Sequence, residues 1–353
     1  MPLDPYFAER LRVHRHYLIG QAWQRMLLPL RRWTGSAPPP PVASTGVKPT
    51  AKTRKPLTPR ERHRRAALAW DRTELATVGT PGPEVTTEEH TVAVDGFPDV
   101  GVRIYRPHPV EEGPAPAVLA FFGGAFRIGG VDYPTTDAAY RRRAVDAGVI
   151  VVAVRYALAP EHRYPTQVEQ GHAALEWLVA NAASLGVDAS RIGVQGTSAG
   201  GAIAAAVTLM NRDRTGHPLR LQLLEVPVVD LTPWHVDLRP TWAMGIPAII
   251  ALRELRSVRR TYLGDQSPTQ PFASPLRAAS HADLPPAVIL TAEYDPLRRN
   301  GAAYGAALRR AGVDATVVEY RGVTHDAWYF TGVLDAARRW HDQAVRALRL
   351  LHD

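Results

Sequence analysis

From residue 86 onward, short apolar runs alternate with longer amphipathic stretches. Strand-like runs fall at about 86–94 and 101–106, then at 117–122, 149–156, 191–195, 219–228, 287–291 and 315–320. From the fourth run onward, segments of helical period mostly separate the strands. Val149, Ile150, Val151, Val152, Ala153 and Val154 are apolar without alternation, so both faces of that strand must be covered, as in a parallel sheet. The two opening runs, joined by short turns, predict an antiparallel edge. The pattern predicts an α/β chain: a mostly parallel eight-stranded sheet with helices on both faces.

Before residue 86 the pattern differs. Over residues 4–33, Phe7, Leu11, Leu18, Trp23, Met26, Leu27 and Leu30 recur at mostly helical spacing among Arg and His, which predicts an amphipathic capping helix. Residues 37–56 shift to Pro, Ser, Thr and Lys, with Pro38 to Pro41 unbroken, and predict an extended, mobile linker. Thr58-Pro59-Arg60-Glu61 forms a capping box with proline at the first helical position, opening a helix to about residue 76. Residues 230–265, with Trp234, Trp242, Met244 and Ile246, interrupt the later alternation and read as an inserted cap. The expected organisation is therefore an N-terminal helical cap segment at 1–84 and an α/β domain at 85–353, with its insertion at 230–265. An apolar helix at about 334–351, near the sheet edge, offers a surface for a homodimer.

Composition changes this picture in three respects. The 353 residues are 45% hydrophobic, enough for one large core, and the absence of Cys removes disulfides, thiolate metal sites and cysteine nucleophiles. The net charge of +8 resides at the start: residues 1–75 hold 15 basic against 5 acidic residues, and the remainder 27 against 29. With no nucleic-acid motif beside it, this charge reads as a solvated face, and no nucleic-acid partner is expected. Asp4 and Glu9 interrupt any secretory signal, and the apolar stretch at 243–252 is too short to cross a bilayer. The expectation is a cytoplasmic protein without stable membrane insertion.

The sharpest chemical signal is Gly196-Thr197-Ser198-Ala199-Gly200-Gly201, between the apolar run at 191–195 and a helical stretch. G-x-S-x-G in a strand–turn–helix context exposes the serine hydroxyl on a tight elbow. A hydroxyl needs a base to activate it and an acid to orient that base. Asp295 follows the seventh run and His325 the eighth, the chain order that such an elbow requires. Alone, Asp295 reads as a helix N-cap and His325 as one of 13 histidines; jointly with Ser198 they form a candidate triad.

At this point the chain resembles a known family. Arg155-Tyr156-Ala157-Leu158-Ala159-Pro160-Glu161-His162-Arg163-Tyr164-Pro165 is similar to the Y-R-L-A-P-E-H-x-x-P signature of the bacterial hormone-sensitive-lipase-like (family IV) esterases of the α/β-hydrolase superfamily. Tyr262-Leu263-Gly264-Asp265, Ala273-Ser274-Pro275-Leu276, Ala292 to Leu297 and Leu3-Asp4-Pro5 resemble further blocks of that family. The resemblance implies an α/β-hydrolase fold with a helical cap and a carboxylic ester hydrolase acting on short to medium or aromatic esters, without cofactor or metal. Ser198 would be the nucleophile, His325 the proton carrier and Asp295 its orienting acid. An amide or carbamate hydrolase, an acyltransferase, or a non-catalytic ligand-binding member are the alternatives.

Two departures from the family stand out. Its His-Gly-Gly-Gly oxyanion loop is here Phe122-Gly123-Gly124-Ala125. The amides of Gly123, Gly124, Ala125 and Ala199 remain the expected oxyanion donors, although alanine tolerates a positive φ poorly. Phe122, Phe126, Thr197 and Trp328 are candidate substrate-binding residues, with Phe122 and Phe126 readable also as simple core and pocket wall; Trp23, Met26, Trp234, Trp242 and Trp328 are candidate pocket walls, each readable equally as core. The second departure is Asp326, a carboxylate expected to raise the pKa of His325.

Overall fold

The computed structural model describes residues 1–13, 57–107 and 113–353. The predicted first helix beyond residue 13, the linker at 37–56, and Trp23 and Met26 lie outside the described residues.

The strands are β1 (Thr87–Val92), β2 (Val100–Tyr105), β3 (Ala115–Phe121), β4 (Ile150–Arg155), β5 (Val187–Thr197), β6 (Leu219–Glu225), β7 (Ala287–Tyr294) and β8 (Ala315–Thr324). They form one eight-stranded sheet in the order β1-β2-β4-β3-β5-β6-β7-β8. The β1–β2 and β2–β4 ladders are antiparallel and all others parallel, as the short opening turns and the later crossovers require. The centre of β4 is wholly buried, and Val152 lies opposite Leu119 of β3, which explains its unbroken apolar run.

Helix α1 is described over residues 5–13. It is followed by α2 (Pro59–Thr77), α3 (Pro134–Ala147), α4 (Thr166–Ala180), α5 (Ala199–Arg214), α6 (Arg239–Ala243), α7 (Ala248–Leu263), α8 (Arg298–Arg310) and α9 (Asp335–Arg349). One layer contains α3 and α9; α4, α5 and α8 form the other. The capping box forms as read: the Thr58 hydroxyl accepts from the Glu61 amide at 3.2 Å, and the Thr58 amide donates to the Glu61 carboxylate at 2.6 Å. The apolar face of α9, with Ala337, Trp340, Ala344 and Leu348, is buried in the core of its own chain. That face is therefore not the free dimer surface the sequence pattern suggested.

α1 docks beside the ends of the last two strands. Phe7 packs on Phe330 with ring centroids 5.0 Å apart, Arg10 pairs with Glu74 of α2 at 2.8 Å, and the Asp4 amide donates to the Gly322 carbonyl at 2.8 Å. The insertion after β6 comprises a 3₁₀ turn at Pro233–His235, α6 and α7. Met244 is buried there, whereas Trp234 and Trp242 are 76% and 75% exposed. Among the described residues, no helix is long and apolar enough to cross a membrane.

Candidate active site

The site lies where β5, β7 and β8 end. β5 runs into Ser198, which adopts φ 54° and ψ −115° before α5 begins at Ala199. A non-glycine residue at positive φ is strained and persists only where its surroundings dictate it. Two glycines make the turn feasible: a Cβ on Gly196 would stand 2.1 Å from the Gly200 carbonyl oxygen, and one on Gly200 2.2 Å from that of Phe121. Ser198 is also held through its backbone, its amide donating to the Glu225 carbonyl at 2.8 Å and its carbonyl accepting from Val228 at 3.2 Å.

The other two strands deliver the partners. β7 and β8 extend three and four residues past the apolar runs that predicted them, bringing Asp295 and His325 to the same end. His325 Nε2 lies 2.9 Å from Ser198 Oγ, and His325 Nδ1 lies 2.7 Å from Asp295 Oδ2. Both readings of Asp295 coexist in one buried carboxylate, because its second oxygen accepts the Leu297 amide at 2.8 Å and shapes the turn into α8. Partial burial of His325 penalises the imidazolium, but the charge and hydrogen bond of Asp295, with a smaller contribution from Asp326, outweigh it and push the pKa up to about 9.

The loop after β3 lies against Ser198, since a Cβ on Gly123 would stand 3.5 Å from Ser198 Cβ. Gly124 has φ 133°, open to glycine without strain, whereas Ala125 at φ 53° and Phe126 at φ 61° are strained. A side chain on Gly124 is excluded by the Ile128 carbonyl, 2.0 Å from the Cβ position, whereas Ala125 occupies the positive-φ site that glycine would fill more cheaply. Among the described residues, the amides of Gly123, Gly124 and Ala125 donate to no protein acceptor. Ala199, the first residue of α5, has no intrahelical acceptor. These four amides are free to serve an incoming oxygen.

Of the two readings offered for Phe122 and Phe126, substrate contact or core, the structure shows their packing. Phe122 is 3% exposed, stacked on Tyr156 at 4.0 Å, and its carbonyl accepts the Tyr156 hydroxyl at 2.7 Å. Phe126 is 0% exposed and stacked on Tyr262 of α7 at 3.7 Å. Both pin the strained loop by packing, and Phe126 presents no surface to an open pocket. Thr197, offered above as a substrate-binding residue, is buried, and its hydroxyl donates to the fully buried Glu225 at 3.2 Å. Trp328, half-buried on the turn after His325, lies edge-on to Tyr329 at 5.2 Å.

Sequence reasoning missed Glu225, Arg143, Tyr156 and Tyr262 around the site. For Glu225 the available signal was a charged residue between Leu224 and Val226 at the end of an apolar run; Arg143, the last of three consecutive arginines at 141–143, carried no such signal. Among the described residues, no group of three or more His, Asp or Glu side chains is arranged to hold a metal ion.

A profile of the family described as the alpha/beta hydrolase fold matches residues 118–329. The chain is 40% identical over 266 residues to esterase LipI of Mycobacterium tuberculosis, covering 74% of this chain and 81% of that one. It is 39% identical over 277 residues to carboxylesterase NlhH from the same species, covering 76% and 84% respectively. Among solved structures, a hyperthermophilic esterase from Pyrobaculum calidifontis superposes with a TM-score of 0.76 at 29% identity, covering 100% of this chain and 99% of that one. EstE1, a thermostable carboxylesterase cloned from a metagenomic library, superposes at 0.74 with 33% identity, covering 84% and 98%.

Proposed function

The chain belongs to the α/β-hydrolase fold family, in its hormone-sensitive-lipase-like branch, and from that premise we propose that it is a carboxylesterase cleaving short to medium or aromatic esters through an acyl-enzyme on Ser198. The observation that carries this reading is the continuous hydrogen-bond chain from Ser198 Oγ through His325 to Asp295, at 2.9 and 2.7 Å.

In the first step Ser198 Oγ attacks the ester carbonyl while its proton passes to His325 Nε2. Asp295 holds the ring so that Nδ1 keeps its proton and the imidazolium is stabilised. The negative charge moves to the former carbonyl oxygen, where the amides of Gly123, Gly124, Ala125 and Ala199 supply donors. Collapse breaks the bond to the alcohol, which leaves with the proton from His325. Water then repeats the sequence on the acyl-serine, with His325 as base, and releases the acid and free Ser198. No step requires a metal or cofactor.

Turnover of p-nitrophenyl esters from acetate to decanoate, with Ser198→Ala as the control, tests this reading. The expected result is hydrolysis favouring the shorter chains that falls by about five orders of magnitude in the variant. Hydrolysis that persists in Ser198→Ala would remove the serine from the mechanism.

A further inference from the structure

Beneath the nucleophile elbow lies a charged group that the hydrolytic cycle leaves unused. Glu225, the last residue of β6, is 0% exposed. Its Oε1 accepts from Arg143 Nη2 of α3 at 2.7 Å and from Trp340 Nε1 of α9 at 2.7 Å, and its Oε2 accepts from the Thr197 hydroxyl at 3.2 Å. Arg143, also buried, donates from Nη1 to the Gln195 side chain of β5 at 3.0 Å. The backbone of Glu225 is engaged as well, because its carbonyl takes the Ser198 amide. One residue thus holds both members of the Thr197–Ser198 pair, one by its side chain and one by its main chain.

As a source of stability this arrangement is poor. Buried ion pairs roughly break even against well-packed apolar groups. Here two buried donors, Arg143 Nε and Gln195 Nε2, have no partner, which adds a cost. The residue after Glu225, Val226, takes a further strained φ of 42°. Unfavourable features of this kind concentrate where geometry matters more than stability. What the network provides is a fixed carboxylate, braced from two helices on one side of the sheet, from which the strained elbow is suspended.

We propose that Glu225, braced by Arg143 and Trp340, is a positioning residue of the hydrolytic reaction that acts through Thr197 and the Ser198 amide to hold the serine hydroxyl in line with His325. The inference rests on the esterase reading with Ser198 as nucleophile. Removing Glu225 itself would strand the buried Arg143 and destabilise the whole chain, so the test cuts the link one bond away. Thr197→Val removes only the hydroxyl bond at nearly constant volume, and Thr197→Ser keeps it. Each is measured for kcat and KM on p-nitrophenyl acetate, normalised to the serine titrated by a p-nitrophenyl phosphonate.

The expected result is a fall in kcat of about tenfold in Thr197→Val, one hydrogen bond to a charged group at a decade per ~1.4 kcal/mol, with KM unchanged and kcat recovered in Thr197→Ser. Trp340→Phe, which removes a different donor from the same carboxylate at a distance from the elbow, gives the same kcat-only signature. A wild-type rate per titrated serine in both Thr197→Val and Trp340→Phe would overturn the proposal, as would an equal loss in Thr197→Ser. If the wild type itself reacts with neither ester nor phosphonate, the esterase reading fails first and takes this inference with it.

Discussion

The inner end of the sheet and the outer face of the insertion differ in what fixes them. At the ends of β5, β7 and β8, every element of the candidate site is tied by hydrogen bonds to buried groups, and strained residues at 125, 126 and 198 survive because their neighbours leave no alternative. The insertion is anchored on its inner side only. The Phe126–Tyr262 stack and the Arg127 contacts with Glu254 and Ser257 tie α7 to the loop after β3, while Asp237 binds Arg298 at 2.8 Å beside the Asp295 turn. On its outer side Trp234, Trp242, Ile249 and Ile250 are more than half exposed. The difference separates tasks: rigid packing holds reacting atoms in register, and a partly anchored element is free to vary what reaches them.

The largest effect that would sharpen this comparison comes from Gly200→Ala. Its methyl would meet two carbonyl oxygens at 2.2 and 2.4 Å, so the elbow must shift. Ester hydrolysis should fall about a hundredfold, the consequence of an ångström-scale misplacement, and denaturant titration should show a loss of about 3 kcal/mol. Unchanged activity would show that the elbow is softer than its contacts imply.

A smaller effect concerns pH. Against the opposing effect of burial, the charge and hydrogen bond of Asp295 push His325 up to about 9 in the folded chain, from an ordinary imidazole value of about 6.5. Because the folded pKa is the higher, the stabilisation from this pair is complete below about pH 6.5 and is lost as pH rises through 9. Activity follows the opposite sign, since the base must be neutral to accept the serine proton, so kcat/KM should climb across that same window. Asp326→Asn should move this acidic limb downward by less than about one pH unit, because Asp326 is exposed and its charge is partly screened. A pH profile of kcat/KM in which the limb stays in place would exclude Asp326 as a contributor.

The smallest effect belongs to the outer face. Trp242→Ala, at 75% exposure, should change stability by less than about 0.5 kcal/mol in a thermal or urea titration. A loss of 2 kcal/mol or more would mean that the outer face is as tightly packed as the inner end, and the comparison would collapse.

Much of this division was legible in the chain. The sheet was readable because β4 and its neighbours are apolar without alternation, a pattern that only two-sided burial produces. Ser198, Asp295 and His325 were readable because each is marked locally, by an elbow motif or by its place just after a strand. The roles of Phe122, Phe126 and Thr197 were not, because an aromatic side chain or a hydroxyl beside a site can face either substrate or core, and that choice is made by partners distant in sequence. Tyr156, Tyr262 and Glu225 are 34, 136 and 28 residues away from those three, respectively, and no spacing rule links them. The Glu225–Arg143 pair was hidden for the same reason, since α3 and β6 meet only through the folded sheet.

The most direct test of the account is to quench the protein within its first turnover of p-nitrophenyl acetate and map the adduct by mass spectrometry. The account predicts a burst of p-nitrophenol equal to the number of active sites and a single acetyl group on the peptide carrying Ser198. Steady hydrolysis with no burst and no acetyl adduct, or an adduct on another residue, would contradict it.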